Sequence, residues 1–147
     1  MSIPFKTAAR FSQAAGAGRA KQVGLAFVFL WFFIGGIAHF VAADAEAKII
    51  PPYIPWPHQV VFVSGVFEIL GALGLLWSKT RRLAGMGLFL LTIAVTPANV
   101  YMFQQAELFP VPYWLLLLRL PLQVELLLII WLSTIRRATS ATVSPVE

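Results

Sequence analysis

Four apolar stretches decide what this chain can become: residues 22–43, 58–77, 83–103 and 113–135. Each reaches the roughly 20 residues that a helix needs to cross a hydrocarbon layer about 30 Å thick. Spanning β-strands would be shorter and would alternate polar with apolar residues, which these stretches do not. Backbone groups in lipid must be satisfied within their own segment, so four spans joined by short links imply an all-α, antiparallel four-helix membrane bundle. Composition agrees: 59% of the residues are hydrophobic and 12% charged, against about 45–50% and 25% in a soluble domain.

Basic residues set the expected orientation. Lys6, Arg10, Arg19 and Lys21 precede the first span, Lys79, Arg81 and Arg82 lie between the second and third, and Arg136 and Arg137 follow the fourth. The opposite loops carry Asp44, Glu46 and Glu107 with a single Lys48. The positive-inside rule then places both termini of this multi-pass protein in the cytoplasm. The net charge of +5 is a topology signal and a contact for anionic lipid. No aromatic-and-basic module accompanies it, which argues against nucleic acid.

The 16-residue apolar run Val23–Ala38 is long for a secretory signal, so the first span is expected to stay in place. Residues 1–21 are read as a basic segment lying along the inner interface, and residues 136–147 as a disordered cytoplasmic tail. With no cysteine, the chain itself can neither exchange disulfides nor hold a metal through thiolates. "GAGRAK" (16–21) lacks both the strand and the Gly-Lys-Ser/Thr ending of a phosphate loop. His39, His58, Asp44 and Glu46 are too scattered for a metal site to be assigned. No nucleophile–base spacing suggests a hydrolase.

Polar residues inside the spans are costly and need partners or a task. Glu68 sits near the middle of the second span, on a stripe with Ser64, Gly65, Gly71 and Ala72, all within about 60° of it at 100° per residue. Such a small-residue stripe marks a helix contact. In the fourth span Arg119 and Gln123 share a face, with Arg119 about 7 Å nearer the outer surface than the middle. Arg119 toward Glu68 is the expected ion pair, with Gln123 in support. His39 closes the first span, and Asn99 stands above Thr92 and Thr96 on one stripe of the third. His39, Glu68, Asn99, Arg119 and Gln123 are therefore expected to converge in the outer half of the bundle. Pro97 and Pro121 each free one helical carbonyl there, those of Ile93 and Leu117. Glu125 points elsewhere, toward lipid, an oligomer interface or another neighbour. The loop "IIPPYIPWP" (49–57) should fold back over this end, with Tyr53 and Trp56 as an aromatic anchor or a lid.

The pieces "GGIAHF" (35–40), "IIPPYIPWP" (49–57), "SGVFEILGALGLL" (64–76), "RRLAGMGL" (81–88), "TPANVYM" (96–102) and "LRLPLQ" (118–123), followed by Trp131, occur in an order and spacing that resembles the DoxX-like family of small bacterial four-helix inner-membrane proteins. That resemblance implies an accessory role near redox enzymes. The founding member is named for a subunit of a thiosulfate:quinone oxidoreductase, and relatives are linked to thiol-stress complexes and amine-dehydrogenase maturation. It implies a quinone as candidate ligand and a membrane or periplasmic oxidoreductase as candidate partner. His39, Glu68, Asn99, Arg119 and Gln123 match the family's polar positions. Three functional classes follow: an accessory or quinone-facing subunit with an amphipathic ligand, a structural or chaperone-like membrane partner with none, and an isomerase-type enzyme using Glu68 on an apolar substrate. The first is favoured, and the residues do not define a stand-alone enzyme.

Overall fold

The structure, a computed structural model, describes residues 5–136. Its elements are helical: α1 (Phe5–Val41), α2 (Ala43–Ala47), α3 (Pro57–Gly74), α4 (Arg81–Ala94), α5 (Thr96–Gln104), a 3₁₀ turn (Ala106–Leu108), α6 (Tyr113–Ile130) and a π-helical turn (Trp131–Ile135). No strand occurs among the described residues. Four stretches are long and apolar enough to cross a membrane: Gly16–Val41, Pro57–Gly74, Arg81–Gln104 and Tyr113–Ile135. The expected tail beyond residue 136 lies outside the described residues. In the basic N-terminal segment, α1 runs from Phe5 into the first span with no break near residue 21.

Small residues set the spacing of the helices. A Cβ added at Gly36 would stand 2.7 Å from Ile69 Cγ1 and 3.0 Å from the Gly65 carbonyl. One added at Gly65 would meet His39 Cβ at 2.8 Å. Glycine on both helices thus lets the α1 and α3 backbones touch, as in lipid where dispersion rather than water exclusion drives association. Gly35 against Glu68 and Gly36 against Ile69 continue the same seam. At the far end of α3, Gly74 abuts Ala84 of α4. Arg81 Nε donates to the Leu75 carbonyl at 3.0 Å, and Thr80 Oγ1 to that of Gly74 at 2.7 Å. These two bonds satisfy carbonyls left over where α3 stops, three residues earlier than composition suggested.

Two of the four spans are interrupted. The third breaks between α4 and α5 at Val95, two residues before Pro97, whose missing N–H cannot continue the ladder. The fourth loosens at its end into the π turn, where the Arg136 N–H bonds the Trp131 carbonyl at 2.9 Å. There the Ser133 and Thr134 hydroxyls turn back onto the Ile129 and Ile130 carbonyls, which favours a locally unwound helix. Both residues are buried, Ser133 against Gly24 of α1 and Thr134 against Gly85 of α4. The core proper, Val28, Phe32, Ala72, Leu75, Leu88, Leu126, Ile130 and Ile135, fills this basic end of the bundle.

At the opposite, proline-loop end, α2 is tied to the start of α3, with His58 Nε2 3.2 Å from Asp44 Oδ1. Pro51 is fully buried beneath the loop. Trp56 takes a left-handed backbone conformation (φ 57°, ψ 59°) immediately before Pro57 opens α3. Its ring stays exposed.

Candidate polar cavity in the proline-loop half

Above Phe32 and Leu126, beside the close α1–α3 seam, a cavity of about 890 Å³ occupies the bundle. Every span contributes to its wall. The five polar residues singled out from the sequence all line it: His39 from α1, Glu68 from α3, Asn99 from α5, and Arg119 and Gln123 from α6. Most of the remaining wall is Leu, Ile, Val, Phe and Ala, and a largely apolar chamber with a few convergent polar groups is the usual make-up of a small-molecule site.

The pairing inside the cavity differs from the expected one. Glu68 faces His39, with Oε1 3.8 Å from Nε2, and both side chains are largely buried. Arg119 does not reach Glu68. Its Nη1 donates instead to Met102 Sδ at 3.1 Å, toward the end of α5. Helix phase and depth place both charges in one layer but say nothing of which helices are neighbours. The close α1–α3 seam puts His39 beside Glu68, while α6 stands across the cavity and its arginine extends toward the near bundle end, as long cations in lipid do.

Both N–H groups of Gln123 are used. Its Oε1 accepts from Asn99 Nδ2 at 2.6 Å, and its Nε2 donates to the Thr92 carbonyl at 2.8 Å and to Thr96 Oγ1 at 2.5 Å. The carbonyl engaged at the α4–α5 break is thus that of Thr92, one residue before the Ile93 carbonyl expected from Pro97. Gln123 acts as a clamp across the break and has no donor left to offer a ligand. What remains is the Asn99 carbonyl oxygen and second N–H, the other N–H groups of Arg119, the Glu68 carboxyl, and His39 Nδ1. That last atom is buried with no partner, which is uncommon for a buried polar atom.

The aromatic lid is a second correction. Tyr53 and Trp56 do not line this cavity; they point outward, and Tyr53 borders a separate shallow depression beside Ile93, Pro97 and Tyr101. The roof is formed by Ile49, Ile50 and Ile54, with Glu46 from α2. In a loop held by a buried proline, the aliphatic side chains turn inward and the amphipathic rings turn out toward the interface. Sequence reasoning also passed over Met102, one turn beyond Asn99 on α5; that spacing was the available signal. Glu125 lies outside the cavity, exposed on α6. Among the described residues no group of three His, Cys, Asp or Glu is placed to hold a metal.

No curated protein and no solved structure matches the chain. Residues 28–136 match a family model described as "Domain of unknown function (DUF8561)". That stretch takes in the closed core, the roof and all five polar cavity residues, and the chain belongs to the DUF8561 family.

Proposed function

We propose that this protein is a membrane-embedded binding subunit whose cavity receives a small amphipathic molecule with a hydrogen-bond-accepting head, a quinone being the leading class. Both termini are cytoplasmic in this reading, which sets the cavity in the outer half of a bacterial inner membrane and makes an oxidoreductase in or beside that membrane the natural partner. The redox setting comes from the DoxX-like resemblance. The ligand reading rests on one observation: polar residues from all four spans surround a single, otherwise apolar space. Arg119 and Asn99 donate to the head, and Glu68 with His39 supplies a site that can exchange a proton with it. Titration of nanodisc-reconstituted protein with decyl-ubiquinone tests the reading. Saturable binding that weakens about tenfold in Arg119→Ala is expected. The same affinity in both proteins, or no binding by the wild type, overturns it.

One observation favours a second reading, a structural partner without a ligand. The Asn99–Gln123–Thr92–Thr96 network joins α6 to both sides of the α4–α5 break through protein groups alone and by itself only fixes helix register, a known use of buried polar groups. In that case Glu68→Gln combined with Arg119→Met preserves function in a folded protein.

A further inference from the structure

The cavity is not sealed from the side. Leu30, Trp31 and Ile34 of α1 and Leu115, Leu118 and Leu122 of α6 line it, yet each is also 38–62% exposed on the outside of the bundle. A side chain can do both only at the rim of an opening. The two helices meet near the basic end, where Gly24 receives Ser133 and Ile129. They still share the core at Phe32 and Leu126. Beyond that level the cavity lies between them.

The six are apolar and belong to spans, with Arg119, also exposed and lining the cavity, beside them on α6, so the opening faces hydrocarbon along most of its edge. The route from the bundle end is covered by Ile49, Ile50 and Ile54 over the buried Pro51. In lipid an apolar gap is filled by an acyl or isoprenoid-like chain without loss of any hydrogen bond. The volume of about 890 Å³ is near the top of the range for small-molecule sites, about 300–1,000 Å³, with the free polar atoms gathered on His39, Glu68, Asn99 and Arg119.

We infer that the gap between α1 and α6 is a lateral portal through which a long-tailed amphipath passes from the bilayer into the cavity, leaving its apolar tail in the gap. This rests on the ligand reading above and narrows it: the ligand is a lipid-phase molecule, and the tail is part of what is recognised.

The test compares decyl-ubiquinone with its tail-less head, 2,3-dimethoxy-5-methyl-1,4-benzoquinone, in nanodiscs, with each affinity corrected for partition into lipid. Wild type should favour the tailed probe at least tenfold. Ile34→Trp and Leu118→Trp, which crowd the rim at exposed positions, should bring that ratio close to one and slow association of the tailed probe about tenfold. Glu125→Leu, exposed on α6 away from the cavity, should leave both values unchanged. Because the chain has no cysteine, Leu118→Cys adds a direct readout: decyl-ubiquinone should protect it from a lipid-soluble maleimide. Equal affinity for both probes, rim variants that behave as wild type, or an unprotected cysteine overturns the portal while leaving the ligand site standing. Failure of both probes to bind wild type overturns the ligand site and the portal with it.

Discussion

The two halves of this bundle are built from the same helices by opposite rules. At the basic end, glycine and hydroxyl residues bring backbones together, and Val28, Ala72, Leu88 and Ile130 are at most 1% exposed. At the proline-loop end only α1 and α3 stay in close contact, through Gly36 and Gly65, while a broken helix, a glutamine clamp and a roof of isoleucines surround open space. Lipid offers no hydrophobic drive for helices to meet, so contact forms where small residues permit close dispersion packing and fails where they do not. The closed half therefore carries the stability, and the open half is free to carry a ligand.

Perturbing the closed half should have the largest effect. A side chain at Gly85 would overlap Thr134, so Gly85→Val should cost about 3 kcal/mol, the upper part of the overpacking range. Unfolding in mixed micelles reads it, and a variant as stable as wild type would show that the π turn is not the seam described. Ile130→Ala should follow at about 2 kcal/mol, low in the range for deleting a buried aliphatic side chain because lipid removes part of the transfer contribution.

In the open half the effects on stability should be smaller and those on binding larger. Gln123→Leu strips partners from the Thr92 carbonyl, Thr96 and Asn99. Interhelical hydrogen bonds in membranes average about 0.6 kcal/mol and reach about 1.7, so a loss of about 1 kcal/mol is expected. A loss as large as that of Gly85→Val would erase the distinction between the halves. Smaller still is Trp56→Gly. Left-handed backbone costs a non-glycine residue about 1–2 kcal/mol, and relieving it should raise stability by under about 1 kcal/mol once the exposed ring is lost. A marked fall would mean that Trp56 anchors the loop more strongly than its outward position implies.

Much of this was legible in the sequence. Hydropathy and length found the four spans, and helix phase with depth gathered His39, Glu68, Asn99, Arg119 and Gln123, all of which line one cavity. Pairings were not legible. Periodicity fixes which face a residue occupies but not which helix stands opposite, so Arg119 was matched with Glu68 when His39 is the neighbour. The roof failed for a related reason: "IIPPYIPWP" shows that the loop folds back, yet the turn at Pro51–Ile54 determines which side chains face inward. The π turn was not legible, because nothing in the sequence shows that Ser133 and Thr134 pack against Gly24 and Gly85.

The most direct measurement is native mass spectrometry of the protein released from its own membranes. The account predicts one small amphipathic molecule per chain on the wild type. It predicts the same on Glu125→Leu and none on Ala98→Phe, which fills the cavity from a buried position in its wall. A bare wild-type chain, or an adduct that survives Ala98→Phe unchanged, would contradict it.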